Sequence, residues 1–332
     1  MGSNLDNAQR AHLLRLCDPN PGSRQRPSIK EEAVAPLLAA AQPHGVLPVV
    51  LRRLGEGGAF RDNPAFQRAQ QHLVAVTGQV MILSHFAEQV SAALKSNGLR
   101  FAIVKGPSFA AHLYPLYADR PFTDVDFLVH VDDIGRANEI MPGLGLISMV
   151  SEDRPVDIYG EYKWEPPDGR KVLIELHANL MHSPKLRSSV SLSYATLLRA
   201  GNGRPEAPAA MLLVAALHGS LGHQFERLQL LVDVLQAARF VVSNAAHAEV
   251  VRACREVGAG LAVATALDLA STTFDEPRAR ELADEISRDR LRYVARRLLT
   301  PSLVAATQDE SAWRRSWRRK VYRQILSRQR PA

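Results

Sequence analysis

The chain holds only two cysteines in 332 residues, Cys17 and Cys254, far apart and in no metal-type spacing. They fit small apolar groups in a reducing compartment rather than a disulfide framework or a cysteine-ligated zinc site. No apolar run approaches the ~20 residues of a bilayer-spanning helix, so no transmembrane segment is expected. The opening Met1-Gly2-Ser3-Asn4-Leu5-Asp6 lacks the basic and apolar stretches of a secretory signal, and Asp6 stands where a myristoylation motif needs Ser or Thr. The expectation is a cytoplasmic protein. Acidic residues are missing from 311–332, which carries Arg314, Arg315, Arg318, Arg319, Lys320, Arg323, Arg328 and Arg330. Removing those eight from 41 basic residues leaves 33 against 34 acidic ones, so the formal charge of +7 belongs to this C-terminal segment. A near-neutral body argues against a groove that grips a long nucleic acid, because such grooves spread many phosphate contacts over the fold.

What is present is an ordinary globular composition, 46% hydrophobic and 23% charged. The pattern predicts an α+β protein, predominantly helical, with a small mixed sheet between two helical regions. Residues 1–97 read as helical, and apolar spacing from Phe66 to Leu94 fits one long helix or two broken ones. The core, 98–182, opens with the apolar strand 99–104, the Lys105-Gly106 turn and a helical stretch over 108–117. A strand over 124–129 follows, with Asp132 and Asp133 placed to cap a helix running through Met141. Alternation in 156–164 and 170–177 around Pro166-Pro167-Asp168-Gly169 predicts a hairpin. From 183 to 332 the chain reads as helices, over roughly 188–199, 207–221, 225–241, 245–257, 260–271, 276–299 and 310–327, ending in the basic tail 311–332.

The chemistry concentrates in Asp124-Val125-Asp126. On a strand, residues i and i+2 project together, so both carboxylates share one face while Val125, Phe127 and Val129 take the other. Two such charges 4 Å apart repel by about 4 kcal/mol at an effective dielectric near 20. The arrangement calls for a cation, and Mg2+ suits oxygen ligands and phosphate chemistry. Glu175, with Leu173 and His177 on its face of an apolar strand, needs a partner as well. Asp157, Glu161 and Glu165 on the preceding strand are its rivals as a third carboxylate.

Lys105-Gly106-Pro107-Ser108, Leu113-Tyr114-Pro115, Arg120 to Val129 around the Asp pair, and Ile174-Glu175-Leu176-His177 resemble the nucleotidyltransferase superfamily, with its DNA polymerase beta-like fold. Within it they look like the bacterial family labelled "uncharacterised nucleotidyltransferase". Leu217-His218-Gly219 followed by Arg227-Leu228 and Asp233 resembles that family's downstream helical pattern. The resemblance implies transfer of a nucleoside monophosphate from an NTP, ATP by default, to a hydroxyl or phosphate of a small molecule or peptide, with pyrophosphate released. It makes Asp124, Asp126 and Glu175 the catalytic and Mg2+-binding set, with Mn2+ the alternative ion. Lys105, Gly106, Ser108 and Arg120 become the nucleotide-binding set. Pro107 departs from the usual turn and supplies no N–H.

Other readings stand beside these. Arg120 could pair with the neighbouring Asp119, and Ser108 could simply cap its helix. His177 with His182, and His218 with His223, have i,i+5 spacing that suits a helical zinc site poorly. His177, His218, Arg227 and Asp233 are candidates for the acceptor pocket, each with a structural alternative; for Arg227 and Asp233 that alternative is a contact with one another. In the tail, Trp313 and Trp317 precede an apolar stripe flanked by arginines. It fits a docked helix, or contact with an anionic surface or partner. A catalytically silent nucleotide- or protein-binding module and an RNA-modifying, nucleotide-adding enzyme are the rival functions.

Overall fold

Local capping chemistry sets the first elements. The computed structural model describes residues 5–22, 27–149, 161–181, 184–306 and 312–326. Asp6 forms a reciprocal capping box with Gln9 at the start of α1 (Asn7–Leu16). The helices α2 (Glu31–Ala41) and α3 (Leu47–Gly55) follow. The Asn63 side chain accepts from the backbone N–H groups of Ala65 and Phe66, and Pro64 occupies the first turn of α4 (Pro64–Ser96). The Phe66–Leu94 periodicity thus belongs to a single 33-residue helix. By length and composition alone α4 could also cross a membrane, and 28% of its most apolar window is buried.

The core then runs β1 (Phe101–Val104), α5 (Gly106–His112), β2 (Val125–Val129), α6 (Ile134–Ile140), β3 (Ile147–Ser148), β4 (Glu161–Glu165) and β5 (Ile174–His177). The sheet order is β1-β2-β5-β4-β3. β2 and β5 are parallel, while the other pairs are antiparallel. The mixed sheet and its hairpin match expectation, but the edge strand β3 had no sequence signal beyond two residues. Asp157, and the part of the first hairpin strand before Glu161, lie outside the described residues. Asp133 precedes α6 without capping it through its side chain. Its carboxylate is taken by the backbone N–H and guanidinium of Arg100, at 3.0 and 2.8 Å.

The sheet separates two cores. Val125, Phe127, Val129, Ile174, Leu176 and Trp164 pack behind it against the C-terminal half of α4. In front, Ala102, Val104 and Leu128 join a larger cluster that draws on helices from both ends of the chain. Those are α1 to α3 with α7 (Pro184–Arg187), α8 (Tyr194–Ala200), α9 (Pro208–Leu217), α10 (Leu228–Ser243), α11 (His247–Val257), α12 (Gly260–Phe274), α13 (Pro277–Ile286), α14 (Leu291–Leu298), α15 (Pro301–Ala305) and α16 (Ala312–Leu326). α9 is apolar throughout and buried at every position after Pro208, which makes it a central helix. Cys17 and Cys254 are both buried in this front cluster. The stretch expected to be one helix over 276–299 divides into α13 and α14. Asp289 accepts from the N–H of Leu291 at 2.8 Å, starting a new turn.

Candidate active site

Strand alternation puts the apolar side chains of β2 into the rear core and leaves Asp124 and Asp126 on the front face. Opposite them, β1 ends in a strained turn. Lys105 has φ 61° and ψ −145°, a region almost reserved for glycine that costs about 1–3 kcal/mol. Gly106 follows at φ +31°, where an added Cβ would meet the Asp124 carbonyl oxygen at 3.3 Å. This turn aims the Lys105 ammonium at Asp126 Oδ1, 2.7 Å away.

Register supplies the rest of the acidic group. Asp126 pairs across the parallel ladder with Glu175, and Glu175 pairs with Lys163 on β4. Glu161 and Glu165 lie on β4, one strand farther from Asp126 than Glu175. His177 Nε2 lies 3.0 Å from Asp126 Oδ1 and 3.4 Å from Glu175 Oε2. Lys163 Nζ reaches Glu175 Oε1 at 3.2 Å. Donor atoms of Asp126, Glu175 and His177 fall within 4.8 Å of one another, so this buried cluster could hold a metal ion. Sequence reasoning missed Lys163, although alternation along Glu161-Tyr162-Lys163 would have placed it on the Glu175 face.

The two aspartates differ electrically. Burial and the charge of Asp126 push the Asp124 carboxyl upward. Asp124 makes no ion pair or hydrogen bond with the described residues. Asp126 is also raised by burial, but Lys105 and His177 outweigh that and hold it below the ordinary range. His177 is opposed by burial, yet its hydrogen bonds to Asp126 and Glu175 raise it to about 9. For Lys105, burial lowers proton affinity and the surrounding carboxylates more than restore it, leaving it raised. In this state Lys105, His177 and Lys163 set positive charge against the acidic cluster.

A cleft of about 380 Å³ lies before this face. Lys105, Gly106, Arg120, Asp124 and Asp126 line it, as do His218 and Arg227. Ser108, Glu175, His177 and Asp233 are not on its wall. Arg120 borders the cleft, but its guanidinium grips Asp233 through two contacts of 2.8 Å. Tyr114 donates to the same carboxylate at 2.7 Å. The expected Arg227–Asp233 contact is therefore replaced by a buried Arg120–Asp233 pair, and Arg227 stays exposed at the cleft. Nor does Arg120 pair with its neighbour, because Arg52 takes Asp119 at 2.7 Å. His177 and Asp233, offered as acceptor-pocket residues, are each 1% exposed and committed to buried partners. His218 sits in a π-helical turn, His218–Gly222, with its ring 4.6 Å from that of His223. Such turns recur at functional sites. His182 lies outside the described residues.

Paired carboxylates at a strand end and a strained Lys-Gly turn in contact with them thus share one cleft. The sequence model of the uncharacterised nucleotidyltransferase family matches residues 30–275, and the chain belongs to that family. Neither the curated proteins nor the solved structures yielded a match.

Proposed function

We propose that the protein moves a nucleoside monophosphate from an NTP, ATP by default, to a hydroxyl or phosphate of a small molecule or peptide, releasing pyrophosphate. The observation that carries this reading is the placement of Asp124 and Asp126 on the wall of the cleft that Lys105 and Arg227 also line. Asp124 and Asp126, with Glu175 across the ladder, would hold Mg2+, or Mn2+ in its place. Their oxygen-rich donor set, now balanced by Lys105 and His177, suits such an ion. When bound, it supplies charge neutralisation for the triphosphate and for the departing pyrophosphate.

The chain's own groups divide the remaining work. Lys105, freed from Asp126, and the exposed guanidinium of Arg227 bind phosphate oxygens. The acceptor oxygen bonds to the α-phosphorus as the bond to the α,β-bridging oxygen breaks, and pyrophosphate leaves with that electron pair. Where the acceptor is a hydroxyl, its proton would pass to the Asp124 carboxylate oxygen that the ion leaves free. Arg120 positions the Lys105-Gly106 turn through a 3.4 Å contact to the Gly106 carbonyl.

The test incubates the protein with Mg2+, each NTP in turn and a metabolite or peptide extract, following pyrophosphate release and added nucleotide mass. Wild type should show both, while Asp124→Asn and Asp126→Asn should show neither. Pyrophosphate release that survives in either variant overturns the assignment.

A further inference from the structure

α4 carries apolar side chains that the fold does not bury. Val74 is 73% exposed and Met81 67% exposed. They belong to an open groove of about 790 Å³ between α3 and α4, whose other apolar walls include Leu51 and Phe66. Gln70, Val74, Thr77, Gly78 and Met81 follow helical spacing, so one stripe of α4 forms the groove. From Phe66 to Met81 this stripe is about 22 Å long at the α-helical rise.

Three observations point to an occupant. Pro48 and Leu73 line both this groove and the cleft with the carboxylates, so the two cavities adjoin at these side chains. No carboxylate lines the groove among the described residues, and one of its two arginines, Arg52, is already tied to Asp119. Gly78, in the middle of a long helix, leaves open space where a Cβ would stand. Glycine there costs about 1 kcal/mol relative to alanine, and the missing side chain deepens the groove. Met81 adds an adaptable apolar surface.

We infer that this groove binds an extended apolar chain. On the nucleotidyltransferase reading, that chain is the tail of the acceptor, whose hydroxyl reaches the cleft past Pro48 and Leu73. The acceptor class is then an amphiphile with a hydroxyl-bearing head.

Hexyl, heptyl and octyl glucosides, below their micelle concentrations, serve as probes. Titrations of full-length protein carrying 13C-methyl methionine should shift the Met81 methyl signal. Affinity should rise with each methylene, by up to about fourfold at full burial. Gly78→Leu fills the groove with a better helix former, so binding should fall at least tenfold while thermal stability holds or rises. Met81→Asp should also lose the chain-length dependence while keeping calorimetric ATP–Mg2+ binding. Equal affinity across chain lengths, unchanged binding in Gly78→Leu, or association with phospholipid vesicles but not with the glucosides overturns the inference. Chain-length-dependent binding by a wild-type protein that adds nucleotide to no acceptor overturns the transferase reading and leaves the groove assignment standing.

Discussion

Asp124 and Asp126 look equivalent in the sequence, two carboxylates on one face of a strand. Their environments separate them, because the partners of Asp126 come from Lys105 in one direction and His177 in the other. Asp124→Asn removes a charge that burial and Asp126 already disfavour, so its melting temperature should match or exceed wild type while turnover disappears. Asp126→Asn instead strands buried cations, and breaking such a pair costs about 3–5 kcal/mol. Denaturant midpoints would decide: equal loss in both variants refutes the distinction. Gly106→Ala should cost activity more than stability, because the Cβ presses on the Asp124 carbonyl. The acidic trio was legible because strand alternation is a local rule. The Lys105 backbone strain and the burial of His177 were not, since both depend on what packs against them.

At the level of elements, the Arg120–Asp233 pair joins the turn before β2 to α10, with Tyr114 as a third member. Asp233→Ala should destabilise by about 3–5 kcal/mol by leaving a buried guanidinium unpaired. Replacing both partners, as Arg120→Met with Asp233→Leu, should recover much of that loss. Urea unfolding of the two variants would show it, and a double variant weaker than the single one contradicts the account. The helix over Phe66–Leu94 was readable from its apolar spacing, while its boundary at Asn63-Pro64 emerges from the structure. The division between α13 and α14 escaped because Asp289 is a charged residue in a charged run, and its backbone contact leaves no periodicity signal. The parallel β2–β5 pairing joins residues about 50 positions apart, which no local pattern encodes.

On the scale of the whole molecule, the charge asymmetry is partly absorbed. α16 packs Tyr322 and Leu326 into the front core. Arg319 meets Glu226 at 3.0 Å, and Arg323 donates to the Gly222 carbonyl at 3.2 Å, so the helix braces the π turn at the cleft. Trp313 and Trp317 remain exposed, which sequence periodicity alone could not tell from a buried stripe. Stability should follow pH through the acidic cluster. The folded pKa of His177, about 9, exceeds its ordinary 6.5. Its contribution is therefore full below 6.5 and lost as pH rises through 9. Asp126 is depressed, so its contribution is present above 3.8 and lost as pH falls below that. In EDTA, the melting temperature should decline between pH 6.5 and 9.5, and less so in His177→Gln. A flat profile in wild type would refute the coupling.

The two native thiols have a practical consequence. Burial pushes both upward, Cys254 to about 12, so the folded protein should be nearly inert to alkylating reagents. Both sit in the front cluster and neither in the core behind the sheet. The slow consumption of Cys17 and Cys254 by a thiol reagent therefore clocks the breathing of the helical front alone. The same clock, run with and without nucleotide, would report how firmly a ligand clamps that half of the protein.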